Sequence, residues 1–201
     1  MNAVQKRQRA RNDLRQQIVD AAHDLFVEEG YDNVSMRKIA DRIAYSPTAI
    51  YLHFKDKSEL LTSISTDTFT GLATALQGVS ARLATGKHDP VDLLRKGLHI
   101  YVDFALAHPN HYQLTFLRPH DDLRREDPIC MQAFEYLVES VEACVRTGRF
   151  PANDPREISQ ALWAAVHGVA SLLIQHSGFP FVARRKLVGR VIASMIAGME
   201  K

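Results

Sequence analysis

The stretch from Ser35 to Lys57, SMRKIADRIAYSPTAIYLHFKDK, constrains this chain more than any other. Ser35 is a favourable N-cap, because its hydroxyl can accept an orphan backbone N–H. Ile39, Ala40 and Ile43 then recur at three- and four-residue spacing and line one face of a helix that stops near Ala44. Ala40 is small enough for a second helix to approach closely. Ser46-Pro47 follows as an N-cap and a proline at the first helical position, where the missing N–H is no loss. The second helix is expected from Pro47 to about His53. Ile50 and Phe54 face inward, and Thr48, Ala49, Tyr51 and His53 face outward. A lysine, Lys57, stands at the start of a third helix. The pattern is a helix-turn-helix.

The outward residues carry chemistry that suits a DNA groove. The hydroxyls of Ser46, Thr48 and Tyr51 can bond phosphate oxygens or base edges, and the Thr48 methyl or Ala49 can touch a thymine methyl. His53 can donate to a phosphate. Lys57 and the helix N-terminus beside it both favour an anion. Two short helices and a turn also arise from simple bundle packing, so the geometry alone leaves both readings open.

The whole string narrows the choice. Ser35, Ile39-Ala40, Ser46, Ile50-Tyr51, His53-Phe54, Lys57 and Leu60-Leu61, with the run YLHFKDKSELL, resemble the tetracycline-repressor (TetR/AcrR) family of transcriptional regulators. The resemblance implies a DNA-binding surface made of Ser35, Arg37, Ser46, Pro47, Thr48, Ala49, Tyr51, His53 and Lys57. Three departures stand out. Ala44 occupies a turn position that is usually glycine, and a non-glycine residue at positive φ costs about 1 kcal/mol. Tyr45 replaces a small aliphatic residue, and Thr48-Ala49 replaces a frequent Gly-Thr pair.

At 201 residues and 46% apolar composition, the chain can hold one or two domains with a sizeable core. No uninterrupted apolar run reaches the ~18 residues of a membrane span. The opening MNAVQKRQRARND lacks the apolar core of a secretory signal. A soluble, cytoplasmic protein with no membrane partner is expected. Cys130 and Cys144 share one expected helix, roughly 21 Å apart at helical rise, too far to pair. The net charge is only +2, but Lys6, Arg7, Arg9, Arg11 and Arg15 are opposed in the first 15 residues by Asp13 alone. That segment reads either as a solvated tail or as an arm that seeks phosphate or the minor groove.

The rest of the chain reads as helices. A first helix is expected from about Asn12 or Asp13 to Glu29, with Leu14, Ile18, Ala22, Leu25 and Phe26 on one stripe. A fourth runs from about Ser58 to Leu83 and a fifth opens at Asp89-Pro90. A short one follows His108-Pro109, and Arg118 to Asp127 is a charged loop. A seventh opens at Pro128. Asp154-Pro155-Arg156-Glu157 is a capped start, with a capping box possible through Glu157. The helix after it is apolar on nearly all sides, and a last helix runs to about Met199. The expected fold is all-α: a basic arm and helix-turn-helix DNA-binding domain over residues 1–57, and a ligand-binding and dimerisation domain over 58–201. Ala161, Ala164, Ala165, Gly168 and Ala170 would let the last two helices pair closely with their copies in a homodimer; packing within one subunit is the alternative.

A second resemblance lies in ALWAAVHGVASLL. Trp163, His167 and Gly168, together with the segment from His108-Pro109 to Tyr112, look like the tryptophan–histidine–glycine (WHG) C-terminal domain of one branch of that family. Its C-terminal domain usually encloses a small-molecule cavity, which would be lined by Phe69, Tyr101, Phe104, Tyr112, Phe116, Phe134, Trp163 and His167. The same aromatics also serve as plain core, and His167 fits a structural role near the dimer seam at least as well as a ligand contact. No zinc-protease, Walker, dinucleotide or nucleophile-elbow motif occurs, so no catalytic residue, metal or cofactor is expected. The resemblance implies an effector-responsive regulator, most often a repressor, bound as a homodimer to double-stranded operator DNA. The competing class is an all-α enzyme or lipid-binding bundle that uses the cavity directly.

Overall fold

The computed structural model describes residues 2–117 and 128–200, apart from the side chains of Ala3 and Cys130. The charged segment expected as a loop, Arg118 to Asp127, lies outside them. Among the described residues every regular element is helical: α1 Ala3–Glu29, α2 Met36–Arg42, α3 Pro47–Tyr51, α4 Lys57–Ala84, α5 Pro90–Ala107, α6 Pro109–Phe116, α7 Pro128–Arg146, α8 Pro155–Gln175 and α9 Arg184–Ala197, with one 3₁₀ turn at Tyr31–Asn33.

The chain forms two compact units, Met1–Thr68 with Asn110–Leu123, and Phe69–Pro109 with Arg124–Lys201. In the first, α1 packs on α2, and α2 on α3. Ile18, Ala22, Leu25, Phe26, Ile39, Ile50, Phe54, Leu60 and Ile64 form its core. Leu114 of α6 belongs to that same core. His111, one turn earlier, stacks on His23 of α1 with ring centroids 4.0 Å apart. In the second unit α5 packs on α7, α8 and α9, and α8 on both α7 and α9. α4 is continuous through the division at residue 68 and contributes to both units.

Four local features depart from the sequence reading. α1 begins at Ala3, not near Asn12, because Asn2 and Gln5 close a capping box: Asn2 Oδ1 accepts from the Gln5 N–H at 2.9 Å, and Gln5 Oε1 accepts from the Asn2 N–H at 3.0 Å. The basic segment is therefore helix. At α8 the cap is Asp154 alone, accepting from the Arg156 N–H at 2.9 Å, and no hydrogen bond joins Glu157 to the cap backbone. α8 is, by length and composition, the one described helix that could cross a membrane. It is an amphipathic helix of the second unit instead: Ile158, Leu162, Val166, Val169 and Leu173 are buried, while Ala161, Ala164 and Leu172 stand exposed. Finally, Cys144 is a free, buried thiol, and burial pushes its pKa up to about 12. It packs as an inert small hydrophobe.

Candidate nucleic-acid interface

The turn between α2 and α3 forms because Ala44 accepts the left-handed conformation, φ +57°. The Tyr45 N–H then reaches the Ala40 carbonyl at 3.0 Å, and the Ala44 N–H reaches that of Asp41 at 3.3 Å. This is a Schellman ending made without the customary glycine. Ser35 caps α2 by accepting from the Lys38 N–H, and Ser46 caps α3 by accepting from the Ala49 N–H, each at 3.2 Å. A serine used this way keeps its O–H donor for another acceptor, such as a phosphate oxygen.

Two ion pairs brace α2 on the end of α1. Arg42 Nη2 holds Glu28 at 2.6 Å, and Lys38 pairs with Glu29. Arg42 keeps the Glu28 carboxyl below its ordinary range through that hydrogen bond. Arg37, also exposed, takes part in neither pair.

On α3 the two faces separate cleanly. Ile50 is fully buried and ties the helix to the core, whereas Thr48 and Tyr51 are exposed, Tyr51 to 55%. Ser35, Arg37 and Ser46 are exposed as well, and Pro47, Ala49 and His53 are half-buried. Two residues not singled out as contacts join this surface: Tyr45, 44% exposed, and Leu52, 73% exposed at the C-cap of α3. The helical period offered a signal for Leu52, since it falls off the face defined by Ile50 and Phe54.

The start of α4 differs from an open anion site. Asp56 accepts from the Glu59 N–H at 2.9 Å, and the Glu59 carboxylate accepts from the Lys55 N–H at 2.6 Å. Two carboxylates thus already occupy N–H groups there. Lys57 Nζ donates to the Tyr31 carbonyl at 2.6 Å and stands 4.1 Å above the Tyr31 ring, an ammonium with two further N–H donors. His53 has its pKa lowered by burial first and then by Arg11 and Arg15 of α1, so it is neutral near pH 7. Arg15 itself lies 4.7 Å over the Phe54 ring and donates to Ser63 Oγ at 3.1 Å.

The residues expected around a small-molecule cavity divide between the units. In the second unit, Trp163 Nε1 donates to the Tyr101 hydroxyl at 3.1 Å, and that hydroxyl lies 3.1 Å from His167 Nδ1. The Phe134 ring meets Trp163 edge-on at 6.0 Å. Burial lowers the His167 pKa, so a neutral imidazole completes this polar trio. Phe104 lies over Gly71, where an added Cβ would come within 3.3 Å of its ring, and Phe69 is half-buried on α4. Tyr112 and Phe116 instead sit with the first unit through α6, their rings 4.8 Å apart.

The model of bacterial regulatory proteins of the tetR family matches residues 18–64, the stretch that carries α2, the turn and α3. A tetracyclin repressor-like C-terminal domain matches residues 94–195, more than half of the chain. The chain belongs to the tetR family. It is a helix-turn-helix regulatory protein, and its relatives are regulators rather than enzymes. An HTH-type transcriptional regulator of Staphylococcus aureus (strain USA300) is 50% identical over 46 residues, 23% of this chain and 25% of that protein. The chain thus spans about a quarter of the curated relatives it matches. Among solved structures, a protein of unknown function from Rhodococcus sp. RHA1 superposes with a TM-score of 0.78 at 20% identity, over 94% of this chain and 96% of the other. A TetR/AcrR-family transcriptional regulator from Thermobifida fusca superposes with a TM-score of 0.69 at 22% identity, over 94% and 100%. Both share the tetR-family fold.

Proposed function

We propose that this tetR-family protein is an effector-responsive repressor that binds a pseudo-palindromic operator as a homodimer, with α3 of each subunit in a major groove. The observation that carries this reading is the split of α3, with Ile50 fully buried behind it and Thr48 and Tyr51 open in front. Ser35, Arg37, Ser46, Pro47, Ala49, His53 and Lys57 frame that front and supply backbone-positioning contacts. Two-fold symmetry sets the half-sites about 34 Å apart, or a multiple of it.

The exposed side of α8 supports the dimer. Ala161, Ala164 and Leu172 lie open on it, and a Cβ built at Gly168 meets nothing within 4 Å. A second copy of α8 and α9 would cover this face. The effector would bind in the second unit beside the trio of Trp163, Tyr101 and His167, with Phe134, Phe104 and Phe69 as apolar lining. The same trio and Gly168 support the tryptophan–histidine–glycine branch of the family. α4 runs unbroken out of the first unit, so a shift imposed on its second half reaches the helix-turn-helix. A coupling of about 1–3 kcal/mol is the usual size of such an effect. A cytoplasmic site of action follows from the family's role at DNA.

The test is selection of duplexes from a randomised library by the full-length chain, followed by gel shifts at fixed salt, with the DNA flanking its own gene as a second probe. Recovery of a two-fold-symmetric motif is expected. Enrichment of no sequence over the starting pool contradicts the reading.

A further inference from the structure

The first turns of α1 hold cations in a way that helix stability does not explain. The N-terminal end of a helix favours acidic side chains, yet the first turn of α1 has none, and Lys6 and Arg7 follow directly. Elsewhere the described arginines are matched: Arg42 with Glu28, Arg149 with Asp89 and Glu200, Arg156 with Glu135, Arg95 with Asp92. Among the described residues no carboxylate pairs with Lys6, Arg7, Arg9 or Arg11, and all four are exposed.

Their placement follows from the capping box at Asn2. Because α1 is helical from Ala3, Arg7, Arg11 and Arg15 recur every four residues and share one face. Arg15 anchors that face, lying over Phe54 and bonded to Ser63. Arg11 is near enough to act on His53 at the end of the recognition segment, as the lowered pKa of that histidine records behind the larger effect of burial. The ridge therefore starts beside α3 and continues away from it. Four residues of helix advance about 6 Å, close to two steps of a DNA strand at about 3.4 Å each.

We propose that Arg7 and Arg11 form a second DNA-contacting surface, a rigid helical ridge that grips the phosphate backbone flanking the half-site read by α3. This rests on the reading of the protein as an operator-binding regulator and adds a part to the interface. The ridge positions and strengthens; it reads no bases, because its members are spaced for one backbone. An acidic protein partner would use the same charges, but the nearness of Arg11 to His53 favours the duplex already held by α3.

The experiment uses the full-length chain and duplexes that the wild type selects from a randomised library. Each duplex is made in a long form and in a form trimmed to the half-sites, and binding is followed against salt. On the long duplex the double variant Arg7→Gln/Arg11→Gln should flatten the slope of log affinity against log salt by about 2 per bound chain, roughly 0.9 for each phosphate released. On the trimmed duplex the variant and the wild type should coincide. The pair Arg7→Lys/Arg11→Lys should restore the long-duplex slope. Both positions are exposed, so the fold is not at stake, and Thr48→Ala serves as a control that alters base preference on both duplexes. An unchanged slope on the long duplex, or an equal loss on both forms, overturns the ridge while leaving α3 as the reader. A wild type that selects no sequence overturns the operator-binding reading itself.

Discussion

At single positions the interface combines strain with chemistry. Ala44 holds φ +57° in the turn, a conformation that costs a Cβ about 1 kcal/mol or more. Ala44→Gly should therefore stabilise the chain by roughly 0.5–1 kcal/mol, less what glycine returns as disorder in the unfolded chain. Chemical denaturation checks this, and a lower midpoint would show that the turn is not strained. His53 gives a pH signature. Burial, then Arg11 and Arg15, hold its pKa below the ordinary value in the free protein. A phosphate beside the ring would raise that pKa. Binding then takes up a proton, so affinity should rise as pH falls through the complex's pKa and level off below the free protein's pKa. His53→Gln should flatten that window in an anisotropy titration run across it; a wild type already flat there removes His53 from the contact.

Elements depend on what they pack against, and α6 is the clearest case. Leu114 is 5% exposed within the core of the first unit. Leu114→Ala should cost about 2–4 kcal/mol. Hydrogen exchange should show protection lost in α1 and the first half of α4, with α8 little changed; loss confined to α8 would contradict the packing. Local rules made α2, the turn and α3 legible in the sequence: Ser35 and Ser46 as caps, Pro47 at the first helical position, and Ile39 and Ile50 at the right spacing. The exceptional Ala44 was legible too, because only a residue able to enter positive φ can close that turn. The onset of α1 was not. Nothing apolar precedes Leu14 on its stripe, and the signal lay in a reciprocal pair of polar side chains, Asn2 and Gln5. The allegiance of α6 was equally hidden, since a short apolar helix does not reveal which core it joins. Lys57 was legible as a cation at the start of α4, but its seat on the Tyr31 ring and carbonyl arises from folding over a long sequence separation.

At the level of the whole molecule, symmetry does what one subunit cannot. A single α3 offers few groups, and two held at a fixed spacing turn a weak contact into a specific one. The exposed face of α8 is where that spacing would be set. Leu172→Lys, placed on an open surface, should convert a dimer into a monomer in sedimentation without altering Trp163 fluorescence; a dimer that persists would move the interface elsewhere. The most direct test of α3 as the reading helix is the base-preference profile of Thr48→Ala beside that of the wild type, measured on the same randomised duplex pool at one salt concentration. Preference should be lost at one or two positions of each half-site, by about 1–3 kcal/mol at a contacted base, with the other positions retained. A uniform weakening on every sequence, with the profile unchanged, would contradict it.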